Sequence, residues 1–200
     1  IDRNYFRKLE QLNSGVGEPV EIPKDLKANL RNYQKDGFSW MYHLYENQLG
    51  GCLADDMGLG KTLQTIALLL KIKKEKADRL MHIPAGNPAQ YSLFDEPESK
   101  QRPQPASLIV LPTSLVHNWE NEFRKFAPTL KIYKHIGSFR NKTNSIASVI
   151  DYYDVILTTY GTLRNDVEML ASYEFCFLIL DESQNIKNSG SKTYKSILEI

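Results

Sequence analysis

The chain has 200 residues, of which 42% are hydrophobic, 24% charged and 10% aromatic, an ordinary globular composition. A chain of this length buries about 70% of the surface its unfolded form exposes, so its core needs no metal or disulfide staple. With 25 basic and 24 acidic residues, the net charge of +1 excludes an acidic tail protein, a histone-like polycation and any partner captured by bulk charge alone. A nucleic acid would have to be held by a local stripe.

Cys52 and Cys176 are far apart in sequence, each in an apolar stretch, and read as buried free thiols in a reducing, cytoplasmic compartment. No run approaches the roughly 18 apolar residues of a membrane span, and the opening IDRNYFRKLE has no signal-peptide pattern. No membrane partner is expected. The opening also lacks an initiator Met and reads as cut from a longer polypeptide.

In chain order, residues 1–17 read as an N-terminal helix and linker from a preceding region, and residues 18–200 as one lobe. Leu26, Leu30, Tyr33, Phe38, Met41 and Leu44 fall at helical steps that predict two helical pieces broken near Gly37. Residues 51–54 read as a short strand feeding a glycine loop and a helix through about Leu70. An insertion at about 72–106 holds five of the nine prolines and is expected to be mobile, its first lysines being the solvated end of a helix. Strands are expected over 107–111, 131–136, 154–158 and 175–180, and helices over 115–126 and 146–152. Such alternation predicts an α/β fold with a mainly parallel sheet sandwiched by helices.

The strongest chemical signal is the loop from Asp55 through Asp56, Met57, Gly58, Leu59, Gly60 and Lys61 to Thr62. Glycines let a backbone turn its N–H groups around phosphate oxygens, and the following helix adds its dipole. In this pattern Lys61 reaches the β/γ-phosphates and Thr62 offers its hydroxyl to Mg²⁺. The general pattern wants Gly five residues before Gly60, where Asp55 stands. A loop of this kind needs a second strand ending in acid, and residues 175–180 run into Asp181 and Glu182. Asp181 can hold the Mg²⁺ shared with Thr62, and Glu182 can polarise the attacking water.

Five blocks then stand in order: LRNYQKDGFSW from Leu30, CLADDMGLGKTLQTIALL from Cys52, LPTSLVHNWENEF from Leu111, LTTYGTL from Leu157 and LILDESQNIKN from Leu178. Together they resemble the Swi/Snf-type ATPases, double-stranded-DNA translocases of the superfamily 2 helicase-like group, over roughly residues 20–190. The resemblance is to bacterial-type members and implies a RecA-like P-loop lobe, incomplete at its C-terminus with an open seam between strands. It also implies ATP and Mg²⁺ as cofactors and a cytoplasmic, nucleoid-associated setting.

Arg31 and Gln34 fall in the block resembling the adenine-reading motif, where an amide can donate to and accept from a base edge. Asp56, Met57, Gly58, Leu59, Gly60, Lys61 and Thr62 would cradle the phosphates; Lys61, Asp181 and Glu182 are the candidate catalytic residues. Gln184, where many members have His, would couple nucleotide state to DNA grip. Thr113, Ser114 and Asn118 fall in the first DNA-facing block, Thr158, Thr159 and Tyr160 in the second, and Lys187 and Asn188 in a third backbone-contacting stretch. Such contacts position a duplex without reading its sequence. Trp119, at helical spacing with Phe123 and Phe126, reads as core rather than as a base-stacking residue.

The family motor closes a second RecA-like lobe in cis, whose arginines stabilise the transferring phosphoryl group, so the chain by itself is expected to hydrolyse ATP only at background rate. The protein complex it would remodel is left open. Gln90-Tyr91-Ser92-Leu93-Phe94 resembles peptides that dock on bacterial sliding clamps. Two other functions compete: a strand-separating helicase of the same superfamily, and a non-catalytic interaction module that keeps the fold without turnover.

Overall fold

The computed structural model describes residues 19–56, 58–81, 105–137, 140 and 152–200. The expected N-terminal helix, Met57, Gln90–Phe94 with most of the insertion, and residues 146–151 lie outside the described residues. The elements are α1 (Asn32–Glu46), α2 (Lys61–Met81), β1 (Ser107–Leu111), α3 (Val116–Phe126), β2 (Ile132–His135), β3 (Val155–Thr159), α4 (Tyr160–Asn165), α5 (Val167–Leu170), β4 (Leu178–Leu180) and α6 (Lys192–Leu198). Single 3₁₀ turns cover Thr113–Leu115 and Ser183–Ile186. The chain divides into two compact units, one of residues up to Asp78 with Glu122–Pro128, the other of Arg79–Asn121 with Thr129–Ile200.

In the first unit α1 runs unbroken through Gly37, where two helical pieces are expected from the sequence. The glycine marks a close approach instead of a break: a Cβ there would lie 2.1 Å from Gln64 Oε1 and 3.8 Å from Leu53 Cδ1. Residues 51–56 form no ladder, which corrects the strand expected over 51–54. Their backbone packs on α1, with Gly51 so close that a Cβ would sit 2.3 Å from Leu44 Cδ1 and 2.8 Å from Trp40. A strand exists only where its N–H and C=O groups find a neighbour, and the sheet's four strands all come from Ser107 onward. Cys52 is consequently exposed and Cys176 half-buried, neither of them in a disulfide, rather than the buried thiols expected.

The second unit is built on a sheet of order β2-β3-β1-β4 in which every pairing is parallel. Leu108, Val110 and Ile156 pack with Leu163 of α4, Leu170 of α5 and Ile197 of α6 on one face. Ile109, Leu111 and Leu157, which alternate with them, are equally buried, so both faces of β1 and β3 are covered. Expected and observed β1 coincide because a five-residue run with Ile109 and Val110, bounded by Pro105 and Pro112, is too short for a helix and suits a strand buried on both sides. By contrast β4 is shorter than the six residues expected, since it pairs with β1 on one side only and stays half-buried. No helix among the described residues is long and apolar enough to cross a membrane.

A buried polar cluster fastens β2 to the junction of α4 and α5. His135 is fully buried and its Nε2 lies 2.8 Å from Asp166 Oδ2. Arg140 donates through Nε to Asp166 Oδ2, through a terminal nitrogen to Oδ1 at 2.9 Å, and to the Gly137 carbonyl at 2.6 Å. Since Nε2 must carry the proton to bond the carboxylate, Nδ1 is left as a buried lone pair without a partner among the described residues. Burial, with Arg140 nearby, therefore pulls the His135 pKa down despite the opposing pull of Asp166. Arg140 in turn holds the Asp166 carboxyl below the usual carboxylate range.

Both shifts make acid destabilising. A histidine that stays neutral when folded but takes up a proton below about pH 6.5 when unfolded costs stability as pH falls through that value. The Asp166 contribution is complete above about pH 4 and is lost as pH falls further. Urea unfolding should show stability declining from pH 7 to 5; a flat profile in the wild type would contradict the assignment. Asp166→Asn should lose about 2–4 kcal/mol at pH 7, because it strands a guanidinium and an imidazole.

Candidate functional site

The glycine loop owes its shape to two residues that only glycine suits. Gly58 and Gly60 have φ of +83° and +75°, and a Cβ on Gly60 would lie 2.5 Å from Gln34 Nε2. Directly behind them α2 begins at Lys61 and runs 21 residues, so its first amides and its dipole face the loop. Lys61 Nζ donates to the carbonyls of Asp55 at 2.6 Å and Asp56 at 3.0 Å. An ammonium has three N–H donors, so Lys61 can hold its own loop and still donate to a phosphate oxygen. Thr62, half-buried, follows on the first turn.

Gln34 is placed against the glycine loop. Its Nε2 donates to the Leu59 carbonyl at 3.0 Å, its Oε1 accepts from the Arg31 N–H at 2.9 Å, and the residue is buried. The amide thus caps α1 and braces the loop with one bond at each end, which leaves one N–H and one lone pair to spare. Arg31 itself is exposed.

In the second unit, β4 hands the chain to Asp181 and Glu182. Asp181 N–H continues the ladder by donating to the Val110 carbonyl at 2.9 Å. Its Oδ1 accepts from the Glu182 N–H at 2.9 Å, and its Oδ2 accepts from the Trp119 indole Nε1–H at 2.7 Å. Glu182 sits in the left-handed region, φ 52° and ψ 53°, a conformation costly to a side chain with a Cβ and typical of sites where geometry is imposed. Gln184 Nε2 donates to Glu182 Oε2, and Asn185 Nδ2 donates to the Glu182 carbonyl at 2.8 Å. Tyr160 donates its hydroxyl to the Asp181 carbonyl at 2.6 Å; burial, together with Asp181 and Glu182, pushes its pKa up to about 12.

Taken unit by unit, the glycine loop of the first suits a nucleotide phosphate and the acidic end of β4 in the second suits a hard cation. Positive-φ glycines, helix amides and Lys61 suit phosphate, while the Asp181 carboxylate keeps lone pairs beyond its two accepted bonds. Among the described residues no three His, Cys, Asp or Glu side chains gather as a metal cage. Mg²⁺ ordinarily takes one or two carboxylates and completes its shell with phosphate oxygens and water.

A family model described as the SNF2-related domain matches residues 33–200. The chain belongs to the SNF2-related family. It is 35% identical over 202 residues to the TATA-binding protein-associated factor MOT1 of Saccharomyces cerevisiae, covering 100% of this chain and 10% of that protein. It is also 35% identical over 200 residues to the helicase SWR1 of the same organism, covering 99% of this chain and 12% of SWR1. The SWI2/SNF2 ATPase core of Sulfolobus solfataricus in complex with double-stranded DNA superposes with a TM-score of 0.70 at 38% identity, over 92% of this chain and 32% of that one. The same core solved as the ATPase core domain gives 0.69. The parallel sheet with its helices is thus the RecA-like ATPase fold, and the chain spans about a tenth of MOT1 and SWR1.

The residues of the SNF2-related chain assigned to DNA separate by exposure. Thr113, Ser114 and Asn118 are exposed just beyond β1, and Lys187 and Asn188 are exposed after the 3₁₀ turn. Thr158 and Thr159 are buried. Thr158 donates its hydroxyl to the His135 carbonyl at 2.9 Å, and Thr159 caps α4, accepting from the Thr162 N–H at 3.2 Å. As placed, neither offers a side chain to a duplex, because each hydroxyl terminates a strand or starts a helix. Trp119 is core, as expected, but its bond to Asp181 lay beyond periodicity. The available signal was chemical: a buried indole N–H needs an acceptor.

Gly60→Ala tests the loop. A methyl group at φ +75° against Gln34 should weaken binding of a fluorescent ADP analogue about tenfold while far-UV circular dichroism stays unchanged. Unaltered affinity would remove the loop from the site.

Proposed function

We propose that the protein carrying this chain uses ATP hydrolysis to translocate on double-stranded DNA and remodel protein–DNA complexes. The observation that carries this reading is the phosphate loop, with Gly58 and Gly60 at positive φ and Lys61 opening a 21-residue helix, in a chain 38% identical to a SWI2/SNF2 ATPase core solved with double-stranded DNA. Binding of ATP·Mg²⁺ would supply the γ-phosphoryl group and a cation that neutralises charge on it. Lys61 and the first amides of α2 would hold phosphate oxygens, and Thr62 of the first unit and Asp181 of the second would each be a Mg²⁺ ligand. Glu182 orients the attacking water and accepts its proton, with Gln184 fixing the Glu182 carboxylate.

Duplex DNA is gripped through its phosphates by Thr113, Ser114, Asn118, Lys187 and Asn188, all exposed. Hydroxyl, amide and ammonium donors at the ends of strands and turns position a backbone and read no bases. Sequence tolerance follows. Full turnover requires a second RecA-like lobe in cis to supply cationic stabilisation of the transferring group, which makes this chain the nucleotide-holding half of the motor.

In the full-length protein, Lys61→Ala and Glu182→Gln should each reduce DNA-stimulated ATP hydrolysis at least about a hundredfold, with Glu182→Gln still binding nucleotide. A steady-state phosphate-release assay decides, and unchanged turnover in both variants would overturn the assignment. Displacement of one strand of a blunt duplex by the wild type would favour a strand-separating helicase instead.

A further inference from the structure

Asp181 accepts three hydrogen bonds, and one of them comes from the segment that carries the exposed Thr113, Ser114 and Asn118. Trp119 follows Asn118 directly, five residues beyond Ser114, and donates Nε1–H to Asp181 Oδ2 at 2.7 Å. The indole is 3% exposed, so the bond is shielded from water and its partner cannot be replaced by solvent. Tyr160 begins α4 at the end of β3 and donates its hydroxyl to the Asp181 carbonyl at 2.6 Å. The third bond, from the Glu182 N–H to Oδ1, ties the same carboxylate to the left-handed Glu182.

We infer that Trp119 and Tyr160 are positioning residues that aim the Asp181 carboxylate and couple the grip on DNA to metal binding at that carboxylate. This rests on the assignment of Asp181 to Mg²⁺ and of the Thr113–Asn118 segment to DNA. The physical argument concerns orientation. With one donor on each oxygen, the plane of the carboxylate is set by where the indole and the Glu182 amide stand, and its remaining lone pairs point in a fixed direction. A shift of Asn118 toward a phosphate displaces Trp119, the next residue on the same helix, and turns Oδ2 with it. Tyr160 performs the corresponding service on the main chain, holding the carbonyl of the residue whose side chain takes the cation. By linkage, whatever DNA does to cation affinity, the nucleotide-bound cation does to DNA affinity by the same factor.

The test uses the full-length protein, ADP and Mn²⁺, with free Mn²⁺ followed by electron paramagnetic resonance, with and without a duplex. Wild type should bind Mn²⁺ with different affinity in the two conditions. Trp119→Phe keeps the ring's bulk but removes the donor; it should weaken Mn²⁺ binding about tenfold and abolish its dependence on DNA. Its nucleotide-free affinity for the duplex should stay within about twofold of wild type, since the exposed contacts are untouched. Tyr160→Phe should show a smaller effect of the same sign, and it keeps the test decisive if Trp119→Phe fails to fold. Mn²⁺ binding that remains fully DNA-dependent in both folded variants overturns the coupling. Asp181→Asn is the control for the underlying assignment: if it leaves Mn²⁺ affinity unchanged, Asp181 is not a metal ligand and the inference falls with it for that separate reason.

Discussion

Parallel pairing about β1 is the constraint from which the site follows. With β3 on one side and β4 on the other, Leu111 stands opposite Thr159 and Val110 opposite Leu180. The three chains consequently leave the sheet at the same edge: β1 into Thr113–Leu115, β3 into Tyr160 and β4 into Asp181. In an open parallel sheet the crevice beyond the carboxyl ends is where ligands bind, because turning loops and fresh helix N-termini expose unpaired amides there. Residues 62 positions apart become neighbours through strand register and helix placement, as with Trp119 Nε1 and Asp181 Oδ2.

What keeps that edge in place is burial on both faces. β1 and β3 are buried throughout, and the face carrying Leu108, Val110 and Ile156 is sealed by residues from three short helices. Helices of six, four and seven residues would not persist alone, so α4, α5 and α6 owe their existence to this packing. The His135–Asp166–Arg140 cluster adds a polar clamp between β2 and the α4–α5 junction. Its effect on β3 is direct, since the His135 carbonyl accepts the Thr158 hydroxyl.

Strain and occupied polar groups mark where function displaces comfort. Glu182 holds a left-handed conformation, Gly58 and Gly60 take conformations closed to other residues, and Lys61 is committed to two carbonyls of its own loop. Of these only the Glu182 conformation is strained, and packing in the second unit offsets its cost. Gln34 shows the same economy: one amide caps α1 and braces the loop at Leu59.

Strand and loop chemistry was legible in the sequence because it is local. A short apolar run such as SLIVL between prolines suits a buried strand, and Gly58 and Gly60 before Lys61 suit a tight turn at positive φ into a helix. Five ordered blocks made the family readable as well. Tertiary structure alone decided which strands have neighbours, and so residues 51–56 form no ladder and β4 shrank to three residues. It also decided that Gly37 permits two helices to touch rather than breaking one, and that Thr158 and Thr159 turn inward. The residues that aim Asp181 were beyond sequence reasoning for the same physical reason. Hydrogen bonds between side chains distant in sequence depend on register and helix placement, and no periodicity records those.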